Sequence, residues 1–464
     1  MTQLTISNHR YNAFRFSLDM VVKMAPLEVE FLISAKWVVP VVPEGLVLSR
    51  HSILVVGNTI KDILPTQQAR QKYAQAAETN LPDHLVTAGF INTHGHAAMT
   101  LLRGYADDQE LFEWLNDHIW PVEARLVNYQ FVEDGTTLAI AEMISTGTTC
   151  AADSYFFPDA VAKAFSDQHF RAQVCIPIIQ HANAWAKTEE EHIQLGLDFQ
   201  DEVKYNNLIK VAFAPHSPYT VTDKGFETLQ SLSEDLGIPL HLHLHEARGE
   251  IETAFAESGK RPIQRIHELG LLTPTLQTVH MVHLQESEMD LLAANKVQVV
   301  HCPESNMKLA SGFCEVDRLQ QKNINVAIGT DGAASNNNLD MLEETRTATL
   351  LSKVLANDAT SINAFEALSM ATINGACALG LDHKIGSLEK GKLADIIAID
   401  FSAINFQPMH NPVSQLIYTA TGHQVSHTWI NGTLLYKDGQ LMMLDEARLR
   451  ANTQQWQDKI GAIS

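Results

Sequence analysis

Histidine stands out in this sequence, and its spacing suggests a metal site or acid/base chemistry. The chain has 21 histidines among 464 residues, and two groups of them are closely spaced. One group is the triplet His94-Gly95-His96, and the other is the run from His241 to His245, which Glu246 follows directly. Imidazole is the commonest metal ligand and titrates near neutral pH. Both groups are therefore candidates for the centre of a reaction site.

The spacing of both groups allows side chains to converge. A glycine between two histidines lets the chain bend so that both rings can face one point. Alternate residues of a strand share a face, so His241 and His243 should point the same way. We expect His243 to be a ligand at the strand end, with Glu246 in the loop above it. His241 lies deeper and either supports a ligand or packs, and His245 is expected to be structural.

Asp331, in the segment from Ile328 to Gly332, adds an oxygen donor to the nitrogen donors. The predicted metal ligands are His94, His96, His243 and Asp331. This set suits Zn(II), or alternatively Fe(II), and leaves a position for water. A bound metal lowers the pKa of water toward neutrality. Glu246 can then carry protons and His280 can orient the water, which together indicate metal-assisted hydrolysis or hydrolytic deamination.

Eight short apolar segments can position these residues. They cover residues 85–92, 148–153, 172–179, 209–215, 238–244, 277–282, 297–302 and 325–331, and helical stretches separate them. Two of these helices have start signals at Thr222 and Ser287, and Gly237 is a stop signal for the first. Strands alternating with helices indicate a parallel sheet, and eight such units predict an α/β fold with a closed (β/α)8 TIM barrel.

The carboxyl ends of these eight predicted strands are rich in histidine and acidic residues. In chain order they are His94 with His96, Asp153, Gln180 with His181, His216, His243 with Glu246, His280, His301, and Asp331. Active sites of such barrels form at this face, because strand ends converge there. The pattern favours a single site over eight unrelated residues.

The flanks of the barrel read as short strands joined by Gly, Asn and Pro turns. We predict a β-sandwich domain built from residues 28–84 and 386–450, a metal-dependent hydrolase barrel over 85–385, and an N-terminal extension over 1–27. The expected partner is a small molecule, and we also expect a homo-oligomer.

Composition narrows the possible partners and location. The net charge is −21 and no run of Lys and Arg occurs, which argues against nucleic acid and against an anionic membrane surface. The five cysteines match neither a disulfide framework nor a Cys-x-x-Cys clip, and no segment reads as a signal peptide or membrane span. We therefore expect a cytoplasmic protein. Phosphate-binding loops, the GxSxG elbow and HExxH are absent from the sequence.

Six motifs carry a family resemblance. They are GFINTHGHAAMTLLRG, HLHLHE, VHMVHL, HCPESNMKLASG, GTDGAASNN and GSLEKGKLADIIAID. In order and spacing they resemble the amidohydrolase superfamily, in its branch of aromatic-base deaminases and triazine chlorohydrolases. Over residues 28–450 the chain is most similar to the 5'-methylthioadenosine/S-adenosylhomocysteine deaminases.

The resemblance implies one zinc ion, a purine nucleoside substrate and specific residue roles. His94, His96, His243 and Asp331 would hold the metal. Glu246 would protonate the purine ring, Asp331 would take the proton of the attacking water, and His280 would polarise that water. Glu246 and Asp331 would thus also contact the substrate, as would His216. Glu123 would bind the ribose hydroxyls, although its sequence context alone favours a solvated acid on a loop.

The chain departs from some relatives at the end of the third strand. The segment from Ile176 to His181 has no arginine for the carboxylate of a homocysteine tail. A carboxylate without a partner is costly to bury, so the sequence predicts a preference for methylthioadenosine. Alternatives that stay open are a guanine-type or 8-oxoguanine-type deaminase, a triazine chlorohydrolase, and a non-catalytic metal-binding scaffold.

Overall fold

The computed structural model describes residues 30–462, and it contains two sheets of eight strands each. The predicted extension over 1–27 lies outside the described residues. The strands are β1 (Glu30–Val39), β2 (Leu48–Val56), β3 (Thr59–Pro65), β4 (Ala77–Ala88), β5 (Phe90–Gly95), β6 (Thr148–Ser154), β7 (Arg171–Ile178), β8 (Ile209–Pro215), β9 (Leu240–Leu244), β10 (Leu276–His280), β11 (Gln298–His301), β12 (Val326–Ile328), β13 (Ile396–Asp400), β14 (Val425–Ile430), β15 (Thr433–Lys437) and β16 (Gln440–Leu441).

Helices fill most connections between these strands. The α-helices are α1 (Thr66–Lys72), α2 (Leu111–Glu113), α3 (Trp120–Leu126), α4 (Tyr129–Ser145), α5 (Pro158–Asp167), α6 (Glu189–Val203), α7 (Asp223–Leu236), α8 (Arg248–Ser258), α9 (Pro262–Glu268), α10 (Glu286–Asn295), α11 (Pro303–Lys308), α12 (Val316–Gln321), α13 (Ala333–Asn336), α14 (Met341–Ala356), α15 (Ala364–Met370), α16 (Ile373–Ala378), α17 (Pro412–Tyr418) and α18 (Glu446–Gly461). Three 3-10 helices span Ala97–Leu102, Ile404–Phe406 and Gly422–Gln424, and a π-helix spans Trp114–Ile119. Within residues 30–462, no helix combines the length and the apolar character needed to cross a bilayer.

Strands β5 to β12 pair in chain order as a parallel sheet, which confirms the predicted (β/α)8 architecture. Strands such as β7 are buried along their whole length, as expected when helices cover one face and the barrel interior the other. The sheet comes together where β12 meets β5: Thr93 Oγ1 donates to Ile328 O at 2.8 Å, and Asp331 N donates to His94 O at 3.0 Å. Gly329 permits this approach, because a Cβ there would lie 2.7 Å from His94 N.

The second sheet has the order β16-β15-β14-β13-β4-β1-β2-β3, so both chain ends contribute strands to it, as predicted. The two ends meet where β13 pairs antiparallel with β4, with Ile396 opposite Ala88. The predicted strand 85–92 is wrong as a single strand. Its first half, 85–88, completes β4 in this sheet, and its second half begins β5 in the barrel.

Two predicted helix starts can be compared with the observed ones. Helix α7 begins after Thr222, whose side chain accepts from Gly225 N, and it ends at Gly237 in the left-handed conformation, as predicted. The predicted start of α10 at Ser287 is wrong. Gln285 is the N-cap residue, and Glu288 closes a capping box with it. Because Gln is a less usual capping residue than Ser, the sequence signal favoured the wrong position.

One buried ion pair joins the two sheets. The guanidinium of Arg171, in β7, donates to both carboxylate oxygens of Asp395 at 2.7 and 3.1 Å, and their side chains are 5% and 2% exposed. Asp395 directly precedes β13 and also accepts from Asn431 N at 2.7 Å. The pair therefore ties the barrel to the C-terminal strands of the second sheet, which we call the terminal sheet because both chain ends contribute to it.

We predict that Asp395→Ala lowers the free energy of unfolding by about 3–5 kcal/mol, because it leaves the buried Arg171 charge without a partner. Unfolding midpoints in denaturant measure this effect. The matched control is Glu190→Ala, which removes the exposed pair with Lys224 and should leave the midpoint unchanged. Equal midpoints for D395A and the parent would contradict the assigned role of the pair.

Candidate active site and metal centre

The four predicted metal ligands converge at the carboxyl ends of the barrel strands. His94 Nε2 lies 3.2 Å from His243 Nε2, and both His94 Nε2 and His96 Nε2 lie 3.3 Å from Asp331 Oδ1. Zinc binds nitrogen and oxygen at about 2.0–2.2 Å, so donors at the corners of a tetrahedron stand about 3.3 Å apart. Three imidazole nitrogens and one carboxylate oxygen at these distances fit a divalent metal ion.

Two of the three imidazoles are oriented by backbone carbonyls. His96 Nδ1 lies 2.6 Å from Ser154 O, and His243 Nδ1 lies 2.8 Å from His216 O. A carbonyl only accepts, so each ring carries a proton on Nδ1, and in the neutral ring the lone pair is then on Nε2. The lone pairs of both rings therefore face the shared point, as metal ligands require.

Asp331 is held by hydroxyl and backbone donors. Ser305 Oγ donates to Oδ2 at 2.6 Å, and Gly332 N donates to Oδ1 at 2.8 Å. Asp331 has a φ of +61°, which an L-residue rarely adopts. Such backbone conformations persist where the surroundings impose them and concentrate at functional sites.

Glu246 and His280 lie next to each other beside the cluster. His280 Nε2 is 3.7 Å from Glu246 Oε1, and its Nδ1 is 2.8 Å from Asn306 Oδ1. Burial raises the pKa of Glu246, although His280 opposes this effect. A buried carboxyl with a raised pKa can hold a proton near neutral pH and give it to a substrate.

The loop that carries Glu246 is fixed by Glu250, in the first turn of α8. The Glu250 carboxyl accepts from His245 N at 3.2 Å and from Glu246 N at 2.9 Å. Burial raises the pKa of Glu250 to about 8. Glu250 thus satisfies two buried backbone donors and sets the position of Glu246.

A cavity of about 470 Å³ opens above the cluster. The segment after β5 covers it, and side chains of the π-helix such as Trp114, Leu115 and Ile119 line its apolar side. Phe156 and Ile179 continue the apolar wall. Among the described residues, no Lys or Arg side chain lines this cavity. It therefore suits a ligand that is aromatic or aliphatic over much of its surface.

Glu123 and His216 supply polar groups to the cavity. Tyr155 Oη donates to Glu123 Oε1 at 2.5 Å. Burial raises the pKa of Glu123 to about 7, and the Tyr155 hydrogen bond limits the increase. His216 lines the cavity, and burial lowers its pKa to about 4, which keeps the ring neutral. Its Nδ1 is buried and has no hydrogen-bond partner among residues 30–462.

Comparison with known proteins agrees with this geometry. The model of the amidohydrolase family matches residues 85–435. A protein of Teredinibacter turnerae named 5-methylthioadenosine/S-adenosylhomocysteine deaminase is 48% identical over 434 residues, covering 94% of this chain and 98% of that protein. The chain belongs to the amidohydrolase family.

Two solved structures extend the comparison. An adenosine deaminase from Xanthomonas campestris with bound zinc is 46% identical, with a TM-score of 0.90 over 93% of this chain and 98% of its own. An atrazine chlorohydrolase from Arthrobacter aurescens with zinc has a TM-score of 0.86, over 92% of this chain and 99% of its own, but only 20% identity. The second likeness shows the fold alone.

Other strand-end residues of this amidohydrolase lie outside the cluster. Asp153 accepts from Ala97 N at 2.5 Å and so fixes the chain just after His96. His181 lines the cavity, whereas Gln180 donates to Tyr219 O at 3.3 Å. His301 is fully buried, and neither of its ring nitrogens has a partner among the described residues.

Arg103 and His245 hold neighbouring segments of the barrel together. Arg103 pairs with Glu142 and donates to Asn337 O at 2.7 Å, which ties the segment after β5 to the segment after β12. His245 Nδ1 is 3.2 Å from His283 O, and its Nε2 accepts from Ile263 N at 3.2 Å. His245 is therefore structural, as expected.

Sequence analysis missed the residues that hold the candidate groups in place. Ser305 contacts Asp331, and Asn306 contacts His280. Tyr155 contacts Glu123, and Glu250 contacts the loop that carries Glu246. Ser305 and Asn306 lie within the HCPESNMKLASG motif, but each is 26 residues from the group it contacts, so local spacing did not indicate their roles. For Glu250, the only signal was its place in the first turn of a helix.

Proposed function

We propose that this amidohydrolase is a zinc-dependent hydrolytic deaminase that converts 5'-methylthioadenosine to the corresponding inosine derivative and ammonia. S-adenosylhomocysteine and adenosine are further candidate substrates. The observation that carries the proposal is the convergence of three imidazoles and one carboxylate beside Glu246 and His280, at the floor of a largely apolar cavity. The names of the relatives at 48% and 46% identity support the same reaction.

In this proposal His94, His96, His243 and Asp331 hold one zinc ion. Zinc, when bound, supplies Lewis-acid activation of water at neutral pH. Fe(II) suits the same donors. The arrangement of the protein groups around this point then determines where each proton moves.

The chain's own groups carry out the proton transfers. The Glu246 carboxyl donates its proton to the purine ring nitrogen next to C6, which makes C6 more electrophilic. His280, oriented by Asn306, positions the attacking water, and Asp331 accepts a proton from that water as its oxygen bonds to C6. Asp331 then passes this proton to the amino group, the C–N bond breaks, and ammonia leaves as the carbonyl forms, while the hydroxyl proton returns to the Glu246 carboxylate. Each transfer of this kind contributes about 10²–10⁴-fold to the rate.

The polar groups of the cavity position the nucleoside. We assign the ionised Glu123 carboxylate to the ribose hydroxyls, which are donors. We assign the His216 ring, which lines the cavity, to a polar group of the substrate. A homo-oligomeric state, the division into a catalytic and a β domain, and a cytoplasmic location stay predictions.

We predict that Glu246→Gln abolishes turnover and leaves the zinc content unchanged, because the amide keeps the shape of the side chain but cannot donate the catalytic proton. Ammonia release and elemental analysis of the same sample measure both quantities. Activity within about tenfold of the parent would contradict the role of Glu246.

We predict that kcat/KM for methylthioadenosine exceeds that for S-adenosylhomocysteine by at least about tenfold, because no Lys or Arg among residues 30–462 lines the cavity to pair with the amino acid carboxylate. A control nucleoside with an uncharged alkylthio tail of the same length separates charge from size. Comparable kcat/KM for methylthioadenosine and S-adenosylhomocysteine would contradict the prediction. The same assay with guanine, 8-oxoguanine and triazines tests the alternative reactions.

We predict that Tyr155→Phe raises KM about tenfold at pH 7, because loss of a hydrogen bond to a charged group disfavours the Glu123 carboxylate and raises its pKa further. A carboxyl is ionised above its pKa, so KM of the variant should fall toward the parent value as the pH rises to about 9. A substrate analogue without ribose hydroxyls is the control and should show no such pH shift. A KM that is raised equally at all pH values would contradict the assignment.

A further inference from the structure

His94 differs from the other two imidazoles of the cluster in what holds its outer nitrogen. For His96 and His243 that nitrogen faces a backbone carbonyl, which no substitution removes. His94 Nδ1 instead lies 2.8 Å from Nε2 of His241, a side chain that is 1% exposed. The two rings lie edge to edge, with centroids 5.0 Å apart and planes 22° from parallel.

His241 is itself held from below by a glutamine. His241 Nδ1 lies 2.8 Å from Gln277 Oε1. Gln277 Nε2 donates to Ala378 O at 2.9 Å and to Gln173 Oε1 at 3.2 Å. Since a carbonyl cannot donate, Ala378 O fixes which end of the Gln277 amide faces His241.

These contacts determine every proton position in the series. The Gln277 oxygen accepts, so His241 carries its proton on Nδ1 and presents a lone pair at Nε2. That lone pair requires the His94 proton to be on Nδ1, which leaves His94 Nε2 free. His94 Nε2 is the atom that faces Asp331 and His243 in the cluster.

We propose that His241 is a positioning residue of the metal centre, which holds His94 in the metal-binding tautomer and orientation and is in turn fixed by Gln277. The proposal rests on the proposed function, because it takes His94 as a metal ligand. Partners of this kind typically contribute 10–100-fold to metal affinity. Burial lowers the pKa of His241 to about 4, which agrees with a neutral ring in this series.

The test is the zinc dissociation constant, measured by competition with a chromogenic chelator. We expect His241→Leu, which keeps the apolar volume but removes the acceptor, to weaken zinc binding about 10–100-fold. His241→Gln retains a carbonyl that can accept from His94, so its affinity should lie between those of the parent and H241L. The Co(II)-loaded forms should show a changed absorption spectrum in H241L, because the orientation of one ligand changes.

His301→Leu is the matched control. It replaces another fully buried imidazole of the barrel, one without a polar partner among the described residues, by the same apolar side chain. We expect its zinc affinity to equal that of the parent, whatever its thermal stability. Equal losses of affinity in H241L and H301L would overturn the proposal, since both would then reflect general disturbance of the core.

Gln277→Leu gives a second test that leaves both histidines in place. Without the glutamine oxygen, His241 can adopt the other tautomer, in which its Nε2–H opposes the Nδ1–H of His94. Zinc affinity should therefore fall in Q277L as well, and a value equal to the parent would overturn the proposal even if H241L does not fold. A parent protein that binds no zinc would instead contradict the proposed function.

Discussion

The structure depends on placing several imidazoles close together, away from water, with their lone pairs facing one point. A ring that binds a metal must be neutral, because the ligand nitrogen needs its lone pair, and it must be held in one of two tautomers. A hydrogen-bond acceptor at the outer nitrogen selects the tautomer that leaves the inner nitrogen free. The barrel supplies these acceptors from neighbouring strands: Ser154 in β6 serves His96, and His216, at the end of β8, serves His243. The parallel register of the strands therefore sets the chemistry of the site as well as its position.

The need to hold the site residues in place explains why several buried polar side chains contact those residues without reacting themselves. Asp153, Glu250 and Asn306 contact backbone or ring atoms of the groups that face the cavity. Each of these side chains makes at least one hydrogen bond to a segment that must not move, whereas Asp153 Oδ2 and Asn306 Nδ2 have no hydrogen-bond partner among the described residues. The apolar side chains of the π-helix, on the other side of the cavity, have a different role, because they exclude water and determine which ligand shapes fit.

The sequence predicted the barrel and the convergence of the candidate ligands because both follow from periodic patterns. Buried parallel strands read as short apolar runs, and their carboxyl ends meet at one face. It could not divide residues 85–92 between two sheets, because Leu85 and Phe90 are equally apolar and the break depends on tertiary pairing. Nor could it choose between the two roles considered for His241, since the partner of its ring, Gln277, is distant in sequence. Contacts between distant side chains leave no local pattern in the chain.

The pairing of distant strands in the terminal sheet affects how the chain folds during its synthesis. Its central pair joins Ala88 to Ile396, so the entire barrel is synthesised between the two partners. During translation, β4 emerges from the ribosome long before β13 does, and its open edge carries unpaired backbone groups until then. The sheet is complete only when the two ends of the barrel have come together. The contacts between β4 and β13 join residues that are far apart in sequence, and such contacts tend to form slowly. A nascent chain stalled before residue 396 lacks β13 to β16, so the edge of β4 that pairs with β13 stays open to pairing with another chain.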